Sequence, residues 1–157
     1  MKTLDYLGLD AQATKVTVKE LQQLLADLHV FYMNMRGYHW YIEGKKFFVL
    51  HEKFEEIYTG LEKQIDEVAE RILMLDDYPR NKFSEFIKIS HIKEEGLVKE
   101  ADESVRGTLN GFKVIIKQIK KIVAAAAKAE DQRTQDLVTG YLEHYEKSVW
   151  MFLVFMK

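Results

Sequence analysis

Hydrophobic positions repeat with helical period along four long stretches of this chain, with polar residues on the complementary faces. From Thr17 to about Ile42, Leu21, Leu24, Leu25, Leu28, Tyr32 and Met35 recur at three- and four-residue spacing. Thr17 with Glu20 three residues on has the form of a capping box that would open this helix. A Glu43-Gly44-Lys45 turn leads to a second helix over roughly 46–76, whose stripe is Leu50, Phe54, Ile57, Leu61, Ile65, Val68, Ile72 and Leu75. A long crossover follows, with Pro79 and one short apolar piece, Phe83 to Ile89, that predicts a short helix. A third long helix is expected from about Leu97 to Lys128, with Val105, Leu109, Phe112, Ile116, Ile119 and Val123 inward, and a fourth from about Asp131 to Phe155. Two long hairpins joined by a long crossover make an all-α, four-helix bundle of ferritin-like connectivity, with a short extra helix in the crossover.

Composition fits this picture. One proline and eight glycines in 157 residues leave long helical stretches unbroken, and the length suits one domain spanning 1–157 with a sizeable core. A formal net charge of −2 gives no electrostatic case for nucleic acid as the main partner. The absence of cysteine excludes disulfides, thiolate metal sites and cysteine nucleophiles, in keeping with a reducing cytoplasm. No stretch has the length of a membrane span or the form of a secretory signal, so a soluble, cytoplasmic protein is expected.

The candidate chemistry lies on the second long helix. With His51 taken as zero and 100° per residue, Glu55 falls near 40°, Asp66 near 60° and Glu70 near 100°, whereas the apolar stripe centres near −80°. The arc of metal-competent side chains therefore points away from the chain's own core. Its two pairs are separated by fifteen residues, about 22 Å along the axis, too far for one helix to close a small site. If the same helix of a second subunit crosses antiparallel on a two-fold axis, His51 and Glu55 of one copy meet Asp66 and Glu70 of the other, and two equivalent sites form. His39, near the end of the first helix, is brought about level with His51 by the intervening turn. Carboxylates with imidazole match iron, leaving positions open for water or oxidant.

Plainer readings stand beside these. Glu52 and Glu56 are either solvated acids or carboxylates facing an interior that gathers ferric ions. Asp131 and Asp136 are either ordinary acids at a helix N-terminus or the lining of an ion-entry pore. Trp40 is either a core or interface aromatic or an electron donor beside the site. His29, His91 and His144 have no partner set and read as structural or surface residues. The run His51-Glu52-Lys53-Phe54-Glu55 begins like a zincin motif, but Glu55 replaces the second histidine, so the match fails and a metalloprotease is not expected.

These residues resemble the Dps proteins, or mini-ferritins, through most of the chain. The resemblance is most specific over YHWYIEGKKFFVLHEKFEEIY and IDEVAERI, with further agreement at SHIKE, TQDL and EKSVWM. It implies an inter-subunit, di-iron-type ferroxidase centre at His39, His51, Glu55, Asp66 and Glu70; Glu55 stands where many relatives carry Asp. It also implies a hollow dodecamer built from two-fold dimers that oxidises Fe(II) with hydrogen peroxide or oxygen, stores ferric mineral and protects against oxidative stress. Glu52 and Glu56 match positions linked with nucleation on the inner surface, and the acids near Asp131 and Asp136 match a pore region. Glu-x-x-His pairs, the mark of di-iron ferritins with intra-subunit centres, are absent. The alternative function is a nucleoid DNA-binding and compacting protein. It is weakly supported, because Lys2 is the only lysine before Lys15 and the chain ends at Lys157 without a dense basic tail.

Overall fold

The computed structural model describes residues 1–157 and is all helical. The elements are α1 (Thr3–Leu7), α2 (Thr14–Tyr41), α3 (Phe47–Met74), α4 (Phe83–Ile89), α5 (Ala101–Lys128) and α6 (Gln132–Phe155). α2 packs against α3, α5 and α4, and α5 against α6, giving the expected two hairpins joined across the bundle. The α2–α3 turn is short because Gly44 adopts a left-handed φ of 93° at no steric cost. No helix is long and apolar enough to cross a membrane.

The core follows the sequence stripes with one rotation. Leu21, Leu24, Leu25, Leu28 and Met35 of α2 are buried, as are Leu50, Phe54, Ile57, Leu61, Val68, Ile72 and Leu75 of the α3 stripe. On α5, however, Leu109, Ile116 and Val123 are only partly buried, while Thr108, Gly111, Ile115, Gln118 and Ile122 face inward. Polar and small residues occupy this face because α2 comes very close. A Cβ on Gly111 would lie 2.2 Å from the Phe31 ring, and one on Gly107 would lie 2.0 Å from the Tyr38 hydroxyl.

Two boundaries and one added element differ from expectation. α2 starts at Thr14, so Thr17 lies inside the helix, fully buried with its Oγ1 unpartnered, and the expected capping box does not form. The Asp10 carboxylate instead accepts from Ala13 N at 2.7 Å. α5 starts at Ala101, because residues before it are held extended by a bond from Glu43 N to Lys99 O at 3.1 Å. The short helix α1 escapes the periodicity argument altogether. It docks through the Asp76 carboxylate, which accepts from Thr3 N and Leu4 N at 2.9 Å each. Those bonds, Leu4's first, hold the Asp76 carboxyl below its ordinary pKa.

The crossover is strapped to a polar stripe of α2. Gln23 donates to Ile89 O at 2.9 Å, Asn34 donates to Lys93 O and accepts from Glu95 N, and the Tyr38 hydroxyl donates to Glu95. Burial, then the Glu95 carboxylate, push the Tyr38 phenol well above its usual range and keep it a donor. Asp27, with no exposed surface, accepts from His91 N at 2.7 Å and from Ser90 Oγ at 3.1 Å. α3 and α6 are joined by a buried ion pair: Arg71 donates to Asp131 at 2.7 Å and to Thr134 Oγ1 at 2.8 Å.

Candidate metal centre

The centre grows from the α2–α3 hairpin. Because Glu43 N bonds across to Lys99 O, it does not close the last turn of α2 onto His39, and the His39 carbonyl accepts from the His51 ring instead. The two histidines form a reciprocal clasp: His39 Nδ1 lies 2.7 Å from His51 O, and His51 Nδ1 lies 2.8 Å from His39 O. A carbonyl can only accept, so both rings carry a proton on Nδ1, and Nε2 is the nitrogen that supplies a lone pair when the ring is neutral. The rings stack at 3.7 Å between centroids, with Phe47 stacked on His51 at 4.8 Å and Tyr58 edge-on to His39 at 5.3 Å. This sandwich fixes ring orientation, as outer-shell partners do for metal-binding histidines. Phe47 and Tyr58 were missed from sequence, although they stand four before and seven after His51 on its helix face.

His39 is buried, His51 is half-buried, and Glu55, Asp66 and Glu70 are exposed on α3. The carboxylates thus face outward, away from the buried stripe, as the arc requires. No three His, Cys, Asp or Glu side chains of one chain converge where a metal ion could be held. Asp66 and Glu70 lie about four turns along α3 from the histidine pair, so the two groups do not meet within one chain.

The other sequence candidates separate. Glu52 and Glu56 line a cleft of about 320 Å³ between α3 and the end of α6, but Lys53 lies between them and its Nζ contacts Glu56 at 2.8 Å. Asp131 is not a pore acid: it is 1% exposed, caps α6 by accepting from Thr134 N at 3.0 Å, and is neutralised by Arg71. Asp136 is exposed and accepts from Gln132 at 2.7 Å. Trp40 is not a core residue; it is 48% exposed, with the Arg36 guanidinium 4.8 Å from its ring. His29 stacks on Phe86 at 4.1 Å, and burial lowers its pKa. His91 is held by Asp27, and His144 is exposed.

A bundle of this connectivity, with metal-competent side chains on a long inner-hairpin helix, defines the ferritin-like class. Residues 18–156 match the family model described as a ferritin-like domain. The chain is 43% identical over 150 residues to a DNA protection during starvation protein of Porphyromonas gingivalis, covering 96% of this chain and 94% of that one. It is 49% identical to an uncharacterized protein of Haemophilus influenzae, covering 93% of this chain and 91% of that one. Among solved structures, the Dps protein of Vibrio cholerae O1, described as a member of a broad superfamily of ferritin-like diiron-carboxylate proteins, superposes with a TM-score of 0.93. The two are 43% identical, and the match covers 95% of this chain and 94% of the other. The chain belongs to the Dps family of ferritin-like proteins.

Proposed function

We propose that the chain, acting as one ferritin-like unit over residues 1–157, is a ferroxidase that takes Fe(II) as substrate at a centre shared by two subunits. His39, His51 and Glu55 come from one subunit, and Asp66 and Glu70 from its two-fold mate. The ferric product is sequestered in a hollow cytoplasmic dodecamer built from such dimers. The observation that carries this reading is the His39–His51 clasp, which turns both Nδ1 atoms to backbone carbonyls and leaves both Nε2 atoms without a partner in the chain, on the hairpin whose α3 face also carries Glu55, Asp66 and Glu70.

The donor set suits iron. Imidazole nitrogen and carboxylate oxygen together bind Fe(II), and anionic oxygens favour Fe(III) over Fe(II), which makes electron loss easier. Two Fe(II) ions and one hydrogen peroxide, with two protons, give two Fe(III) and two water molecules. Taking both electrons at one site leaves no hydroxyl radical, and protection from oxidative damage follows. Glu52 and Glu56 are the proposed interior carboxylates for early mineral; the Lys53 ion pair has to open before Glu56 accepts a ferric ion.

Anaerobic loading with Fe(II), followed by peroxide or oxygen, tests this reading by absorbance. Fast, stoichiometric oxidation with peroxide ahead of oxygen is expected. Fe(II) that stays unbound, or oxidises no faster than in buffer, would contradict it. DNA binding is proposed to be weak at physiological salt, because the chain is acidic overall.

A further inference from the structure

A cleft of about 690 Å³ opens between the first half of α2, the 77–80 turn, the strap at 89–91 and the end of α5. Its walls carry Lys15 and Lys19 of α2, Lys121 of α5 and Arg80 of the turn, together with His91. Against these four permanent cations stand two carboxylates, Glu20 and Asp77. The three lysines take part in no ion pair within the chain, whereas Arg80 has one half-buried partner, Glu85, at 3.5 Å. In a chain of net charge −2, this is a local concentration of positive charge in a concave surface, where field lines focus.

The walls are built, not draped. The Gln22 side-chain amide donates to Tyr78 O at 2.8 Å and accepts from Arg80 N at 3.1 Å, so one side chain pins both sides of the turn that carries Arg80. Behind His91 lies Asp27, which has no exposed surface. Its carboxylate takes the His91 backbone N–H at 2.7 Å and faces ring Nδ1 at 3.3 Å. The ring therefore carries a proton on Nδ1, and its Nε2 has no hydrogen bond within the chain. A buried carboxylate orienting a surface imidazole is the arrangement that sets a histidine for ligand contact. The surrounding lysines repel a metal cation from this imidazole, so an anion is the ligand that fits.

We propose that this cleft binds a compact oligophosphate. Lysine ammonium groups act as point charges toward phosphoryl oxygens, and Arg80 adds a planar fork of donors. The cations come from three separate elements around the cleft, an arrangement that suits a ligand carrying several phosphoryl groups. A duplex nucleic acid is convex and rests on the rim, where it meets the acidic remainder of the surface. The site is independent of the iron centre.

Calorimetric titration of the full-length, assembled protein with tripolyphosphate, at near-physiological salt and with EDTA to remove iron, tests the proposal. Saturable binding is expected, weakened at least about tenfold in the double variant Lys19→Gln/Lys121→Gln, since each lost charge-assisted contact contributes of that order. The matched double variant Lys45→Gln/Lys147→Gln, at exposed positions of the α2–α3 turn and of α6 that do not line the cleft, should bind as the native protein does. Thermal melts confirm that both variants fold. Undetectable binding of tripolyphosphate, or equal weakening in both variants, would overturn the site. Duplex DNA that binds more tightly than tripolyphosphate and loses affinity in the cleft variant would overturn the compact-ligand assignment.

Discussion

His39 and His51 each donate a ring Nδ1–H to the other's backbone carbonyl, at 2.7 and 2.8 Å, with the imidazoles stacked face to face. The pairing couples ligand geometry to the α2–α3 turn. Displacing one ring frees its partner's acceptor and lets the second ring rotate, so the two side chains act as a unit. His51→Ala or Asp66→Ala is therefore expected to remove most Fe(II) binding, which equilibrium titration under anaerobic conditions measures. Retention of native stoichiometry and affinity in either variant would count against the assigned ligands.

Gly111 lies where α5 meets the buried Phe31 ring, and a methyl there would sit 2.2 Å from a ring carbon. Phe31 is 1% exposed and has nowhere to move without displacing Phe112, its edge-on neighbour at 5.6 Å. Gly111→Ala is expected to destabilise the fold by about 1–3 kcal/mol, despite the better helix propensity of alanine. Denaturant unfolding reads the difference.

The Arg71–Asp131 pair is buried on both sides, and Asp131 also caps α6. Removing one partner leaves an uncompensated charge in the interior. Asp131→Ala is expected to cost about 3–5 kcal/mol, more than an ordinary capping loss of about 1 kcal/mol. Replacing Arg71 and Asp131 together with apolar residues should cost less than the single change, a double-mutant comparison that separates the buried charge from the cap.

His29, stacked on Phe86, has its pKa lowered by burial. Below about pH 6.5 the unfolded chain takes up a proton at this position that the folded chain resists. Stability linked to His29 is thus intact above pH 6.5 and is lost as the pH falls toward the lowered folded value. His29→Leu should flatten this part of the stability profile between pH 7.5 and 5.5. A profile unchanged by the substitution would mean that other groups set the slope.

What the sequence made legible was whatever repeats locally. The α3 stripe and the arc opposite it share one helix, so their angular separation follows from 100° per residue, and the turn at Gly44 places His39 beside His51. Contacts between distant residues carried no such signal. Asp27, Asn34 and Tyr38 look like ordinary polar positions of α2, yet they hold the strap at 90–95. Asp131 reads as a simple first-turn acid because its partner, Arg71, lies sixty residues earlier. The inward rotation of α5 depends on Gly107 and Gly111 admitting α2 side chains, a packing outcome that hydrophobic periodicity alone misplaces.

The central claim is that the iron centre is shared between subunits, and mixed dimers test it most directly. Combine a His39→Ala/His51→Ala chain with an Asp66→Ala/Glu70→Ala chain. Each homodimer lacks one half of every site and should be inactive. In the heterodimer, one interfacial site loses both halves, while the other keeps intact histidines from one chain and intact carboxylates from its mate. Recovery of about half the native Fe(II) oxidation per verified heterodimer is the result expected from a shared centre; no recovery in folded heterodimers would contradict it.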